Sequence, residues 1–290
     1  MLPATLKLCG GISYRHSRSL TGSGVRNMIK NTVQQRIVGR LSQLPEELLG
    51  SLGQYKAKDL SLPGPRLSGD PAEVLLSECE LRYVQEGQNI LQKTINILED
   101  HSGWHFESKT DNGDKVSSKV IPNVGKMFRL EAEIPGNVEE VHKELFDRVE
   151  HMCEWNPNVN QVKVLQRVGQ RTLVTHDMAA DAGGKLLSAR DFVNLRQSIR
   201  RGSACFLVGV STDCESAPPQ NGYIRGETGP SLIMLRPSTN DVNKTRIVWL
   251  LNIDLKGWIP KSVINLALSR MQINFAKSLR ERMSDIHCGN

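Results

Sequence analysis

Acidic residues are missing from the first 45 positions, where the earliest is Glu46. Seven basic residues fall in that stretch (Lys7, Arg15, Arg18, Arg26, Lys30, Arg36 and Arg40), leaving 30 bases against 31 acids in the rest of the 290-residue chain. The overall charge of +6 therefore belongs to the leader. The remainder is near neutral, so a nucleic-acid binding reading is excluded. No uncharged apolar run approaches the roughly 20 residues of a membrane-spanning helix. The six cysteines form no C-x-x-C pair, which leaves zinc unsupported and describes isolated thiols of a reducing compartment. Aromatic residues are scarce, at 5%, meagre for plugging a large sheet–helix interior.

An acid-free, Arg- and Ser/Thr-rich start has the composition of a mitochondrial transit peptide. Val25, Met28/Ile29, Val33, Ile37 and Leu41 recur at helical spacing, with Arg26, Lys30, Arg36 and Arg40 on the other faces. Such a basic amphipathic helix is attracted to anionic lipid and import receptors. Four prolines and four glycines within residues 45–71 then break both helix and strand, as a linker does. The expected organisation is a transit peptide and start of linker over 1–62, linker over 63–74, and one folded domain over 75–288.

Helical spacing runs through Leu75, Cys79, Tyr83, Ile90/Leu91, Thr94 and Leu98, and Gly103 ends it. Asn112-Gly113 joins two strand-like runs, His105–Asp111 and Lys115–Ile121, into a hairpin. A third strand, Lys126–Ile134, precedes Asn137, a cap for a helix reaching about Glu154 with Val138, Val141, Leu145, Val149 and Met152 inward. About six strands follow: Val159–Val168, Thr172–Met178, Asp191–Arg200, Ala204–Val210, Tyr223–Arg225 into Leu232–Leu235, and Thr245–Leu255. Pro260 opens a long last helix with Val263, Ala267, Met271, Phe275, Leu279 and Met283 at four-residue steps. The class is α+β. A curved antiparallel sheet with the last helix as its cover can enclose a cavity lined by aliphatic and small residues.

Several segments together carry a resemblance. They are Asp111-Asn-Gly-Asp-Lys115, Ser118-Lys-Val120, Val124-Gly-Lys126, Glu154-Trp-Asn-Pro-Asn-Val159, Arg190-Asp-Phe-Val193, Arg200-Arg-Gly-Ser203 and Asp254-Leu-Lys-Gly-Trp-Ile-Pro-Lys-Ser262. With Lys7-Leu-Cys9 and Ser13-Tyr-Arg-His16 of the leader, they resemble the mitochondrial sterol-transfer branch of the START lipid-binding family. The resemblance implies a helix-grip fold enclosing one sterol. It also implies cholesterol transfer from the outer to the inner mitochondrial membrane, for pregnenolone formation in steroid synthesis. The implied partners are cholesterol, the mitochondrial outer membrane and import machinery, and the cAMP-dependent kinase acting at Ser203; the protein is expected to be a monomer without cofactor. Residues 45–71 lack the Arg-Arg-Ser-Ser kinase site of the familiar form, so regulation through the linker is not carried over.

The resemblance places an acid and an arginine, here Asp177 and Arg196, inside the cavity near the sterol hydroxyl. Asp177 stands where the familiar residue is Glu, one methylene longer. Strand parity puts Phe192 and Asn194 on the same face as Arg196. The expected pocket is Asp177, Arg196, Phe192, Asn194, Phe275, Met271 and Ala267, with the Gly183-Gly184 loop and the last helix parting at the membrane. Two other classes remain open: a START-fold enzyme, suggested by His176 beside Asp177 and by Cys205, and a membrane-surface scaffold acting on or sensing another lipid. No nucleophile elbow, zinc-protease motif, P-loop or dinucleotide fingerprint supports an enzyme, and adjacent strand residues point to opposite faces, so His176 and Asp177 cannot share one pocket.

Overall fold

The computed structural model describes residues 76–180 and 189–288. The leader, the linker and the Gly183-Gly184 loop lie outside the described residues. Helix α1 (Glu78–Glu99) starts at a capping box in which Ser77 and Glu80 satisfy each other's backbone N–H. Strands β1 (His105–Lys109), β2 (Lys115–Ile121) and β3 (Gly125–Pro135) then form a meander. Asn137 caps α2 (Val138–His142) through the N–H groups of Glu139 and Glu140.

The expected regular helix to Glu154 is not what forms. The chain widens over Lys143–Asp147, where Arg148 N–H reaches back five residues to the Lys143 carbonyl, and then tightens over Val149–Glu154. The inward residues are nonetheless those expected: Val138, Val141, Leu145, Val149 and Met152 are all buried.

Strands β4 (Val159–Val168), β5 (Thr172–Ala179), β6 (Ala189–Arg201) and β7 (Ala204–Ser211) follow. The region beyond β7 is more broken than expected: β8 (Tyr223–Arg225), β9 (Glu227–Thr228), β10 (Ser231–Pro237), β11 (Lys244–Leu251) and β12 (Ile253–Asp254). Asn252 interrupts the last run because its side chain turns aside to donate to the Lys126 carbonyl, while its backbone N–H goes to Ser231 Oγ. The main sheet runs β1-β2-β3-β11-β10-β7-β6-β5-β4, antiparallel throughout, with β8 added parallel to β6; β9 and β12 pair as a separate short ribbon.

Period-two alternation gives the sheet two apolar faces. Ile199, Phe206, Val208 and Leu250 pack with Leu91 and Ile97 of α1 on one face. Phe128, Leu130, Leu207 and Ile247 pack with α2 and with α3 (Lys261–Cys288) on the other. Gly87 lets α1 approach, since a Cβ there would collide with Gln197.

The last helix corrects one expectation. Its buried face is Leu268, Gln272, Phe275, Ala276, Leu279 and Met283, whereas Val263 and Ala267 are exposed. Steps of four residues advance by about 40° beyond a full turn. A stripe that faces inward at Phe275 has therefore swung outward by Ala267 and Val263.

Candidate functional site

Between the α2–α3 side of the sheet and the two helices lies a cavity of about 220 Å³. Its walls are mostly apolar: Leu145, Phe146 and Met152 after α2, Met178 on β5, Leu207 on β7, Ile233 on β10, Trp249 and Leu251 on β11, Met271 and Phe275 on α3. Phe275 is wedged against Trp249 and Trp155, with ring centroids 4.7 and 5.8 Å away. Of the residues expected in the pocket, Asp177, Arg196, Phe192, Asn194, Phe275 and Met271 line this cavity. Ala267 does not, for the helical drift already described. Ser203 is exposed, in the two-residue turn between the paired Arg201 and Ala204.

The polar end is built from two strands. Arg196 Nη2 donates to Asp177 Oδ2 at 2.7 Å and Arg196 Nε donates to Thr175 Oγ1 at 3.0 Å. Asn194 Nδ2 donates to the same Asp177 Oδ2 at 2.7 Å. Gly209 lies opposite Arg196 on β7. Gly226 lies over Phe192, whose ring would collide with any Cβ there. Two donors thus converge on one oxygen of the carboxylate. Asp177 Oδ1 is buried without a hydrogen-bond partner among the described residues. An acceptor left so costs on the order of 1–3 kcal/mol, more when charged, and a ligand donor would relieve it.

The side chains that suggested an enzyme sit elsewhere. His176 is buried away from the cavity, with Nε2 at 2.8 Å from Asp191 Oδ2, and Arg225 holds the same carboxylate through Nε and Nη2. Those two donors hold the Asp191 carboxyl below its usual range against the opposing effect of burial. Burial raises the Cys205 thiol above its ordinary value, which lowers its thiolate fraction and hence its reactivity. Sequence reasoning missed Asn156 and Asn158, both on the cavity wall. Asn158 Nδ2 reaches the Met271 carbonyl of α3 at 3.4 Å. In the sequence, the Asn-Pro-Asn tripeptide signals only a turn.

Residues 85–287 match the START domain model. The chain is 48% identical over 284 residues to the zebrafish (Danio rerio) steroidogenic acute regulatory protein, mitochondrial, covering 98% of this chain and 96% of that one. The human (Homo sapiens) protein of the same name is 46% identical over 289 residues, again with 98% and 96% covered. In fold, the structure is similar to human StAR-related lipid transfer protein 5, with a TM-score of 0.65 at 22% identity, over 72% of this chain and 99% of that one. The chain belongs to the START domain family, within the group of the steroidogenic acute regulatory proteins.

Proposed function

We propose that this chain is a sterol carrier that holds one cholesterol molecule in the cavity and promotes its transfer from the outer to the inner mitochondrial membrane for steroid synthesis. The observation that carries the reading is Asp177 Oδ1, unpartnered among the described residues, in the polar cluster on the wall of a mostly apolar chamber. A sterol is a rigid hydrocarbon with a single hydroxyl, and this chamber offers mostly apolar walls with one buried carboxylate oxygen left without a donor among the described residues. The relatives' names, mitochondrial and steroidogenic, supply the compartment and the pathway. The acid-free leader agrees with that compartment, with residues 1–62 as transit peptide and start of linker, 63–74 as linker, and 75–288 as the sterol-binding domain. Phosphorylation of Ser203 by the cAMP-dependent kinase is the regulatory part of the proposal, supported by the exposed Arg-Arg-Gly-Ser turn.

The cavity is smaller than the roughly 300–1,000 Å³ of ordinary ligand pockets, so its wall must move outward on loading. The decisive experiment is incubation of the full chain with a sterol mixture, followed by mass spectrometry of the extracted lipid. One cholesterol per chain, chemically unchanged, is expected. Recovery of an altered sterol, or of none, would overturn the carrier reading.

A further inference from the structure

The hydrogen bonds behind Asp177 run in one direction, from the sheet edge toward the chamber. The backbone N–H of Thr228, on β9, donates to Ser211 Oγ at 2.7 Å. Ser211 Oγ in turn donates to Asn194 Oδ1 at 3.3 Å, across the pair that Asn194 and Ser211 make between β6 and β7. Asn194 Nδ2 then donates to Asp177 Oδ2. No member can reverse. A backbone N–H only donates, so the single Ser211 proton goes to Asn194; a carboxylate only accepts, so the Asn194 amide must turn its NH2 toward Asp177. Arg196 donates to the same Oδ2. The series ends with Oδ1 as the acceptor left over.

Thr228 is also a partition. It lines the apolar chamber on one side and, with Ser211, an open polar cleft of about 540 Å³ on the other. The relay therefore starts at this partition and is anchored in backbone.

Resting on the sterol-carrier reading, we infer that this relay makes the chamber select a lipid that donates a hydrogen bond, an alcohol, over the same skeleton bearing a ketone. Ser211, which lines the outer cleft and not the chamber, is the positioning residue for that choice. An alcohol donates to Asp177 Oδ1 while its own lone pairs accept from Arg196. A ketone accepts from Arg196 at best, and sets its lone pairs against Oδ1. Without the Ser211 hydroxyl, Asn194 Oδ1 loses its donor. The amide is then less firmly fixed, and Arg196 alone is left to hold Oδ2 and so to keep Oδ1 as the free acceptor.

The test uses cholestanol and cholestanone, which differ only in the hydroxyl or ketone at one ring carbon, in equilibrium competition for the full chain. The unaltered chain is expected to prefer the alcohol by roughly tenfold or more. Ser211→Ala is expected to lose most of that ratio through weaker alcohol binding, with ketone binding unchanged. Ser211→Thr, which keeps the hydroxyl, is expected to restore the ratio, and the nearly isosteric Ser211→Cys, a weak donor, to fall between. The Cys variant keeps the test decisive should the Ala variant fail to fold. Equal loss of both ligands in the variants would make Ser211 merely structural and overturn the inference, as would equal affinity of the unaltered chain for both. If the unaltered chain bound neither ligand, the sterol-carrier reading itself would fall.

Discussion

Arg280 of α3 donates through Nη2 to Asp114 Oδ1 at 2.6 Å, tying the C-terminal half of the last helix to the turn between β1 and β2. The same guanidinium donates to the Glu133 carbonyl, and two residues on, Arg282 Nε donates to Glu144 Oε2 at 3.0 Å. The N-terminal half has lighter ties: the Ser108–Ser269 hydroxyl pair at 3.1 Å and the long Asn158–Met271 bond. Val263 and Leu266 there are 47% and 54% exposed. On the proposed loading of a sterol, this lightly tied end is the wall expected to give way.

Two substitutions separate anchor from latch. Arg280→Ala leaves the buried Asp114 carboxylate unpaired and should lower unfolding stability by on the order of 2–4 kcal/mol in urea titration. Asn158→Ala removes the long bond to Met271 and a local 3.0 Å bond to Asn156 Oδ1, which keeps the Asn158 backbone N–H as a donor. It should cost about 1 kcal/mol, while sterol release quickens severalfold. Unchanged release from the Asn158 variant would place the opening elsewhere.

His142 gives the fold a pH dependence. Its Nε2 lies 2.8 Å from Ser198 Oγ, and burial pushes the imidazole below its ordinary 6.5, with Arg200 adding to the shift against Asp147 and Glu139. A folded-state value below the unfolded one means that the neutral ring is the stabilised form. Its contribution is complete above about pH 6.5 and is lost as pH falls through the depressed value. His142→Gln should therefore lose less stability than the unaltered chain between neutral and mildly acidic pH, as measured by denaturant midpoints across that range.

How far the sequence foretold this site depends on which period governed each residue. Strand parity is strict, so Phe192, Asn194 and Arg196 are legible as one face from residue order alone, whereas Asp177, on another strand, is placed with them only by the resemblance. Caps are local, so Asn137 is legible too. The helix failed at Ala267 because a four-residue step imitates a stripe only over two turns. Ser211 and Thr228 were invisible for another reason. They reach Asn194 through cross-strand register and through β9, and nothing in the order of residues states which strands will lie side by side. The same holds for Trp249 and Leu207, brought to one chamber from strands far apart in the chain.

Phosphorylation at Ser203 would add a charge of about −2 to a turn whose preceding Arg200 is already held by both carboxylate oxygens of Glu139. Arg201, exposed beside it, is the nearer counter-charge. Ser203→Ala should abolish the kinase-stimulated increment of sterol delivery in cells while sterol binding and unstimulated delivery stay unchanged. A stimulated increment that persisted in this variant would remove Ser203 from the account.

The leader is tested apart from the fold. Residues 1–62 should carry a passenger protein into mitochondria, and replacing Arg26, Lys30, Arg36 and Arg40 by Glu should abolish import by reversing the charged faces of the amphipathic segment. Unimpaired import of that variant would refute the transit reading, with the carrier reading intact.

Trp258 is 94% exposed, on the loop that leads into the lightly tied end of α3. The loop beneath it is fixed: Lys256, at φ 52°, bridges Glu227 and Asp254 at 2.7 and 2.9 Å, and Gly257 follows at φ 76°. Val263 and Leu266 are exposed in the first turns of the helix that follows, and Arg270 is exposed one turn beyond Leu266. An indole favours the membrane–water interface, where its ring is in contact with acyl chain and headgroup together. A carrier that loads at a bilayer would set this loop into the surface, bringing the lightly tied end of its last helix against the lipid. Trp258→Ala should weaken binding to anionic vesicles by roughly tenfold in a flotation assay. The melting temperature should move by no more than about 1–2 °C, since a side chain this exposed supports no packing. Vesicle binding unchanged by the substitution would sink the docking role of this loop.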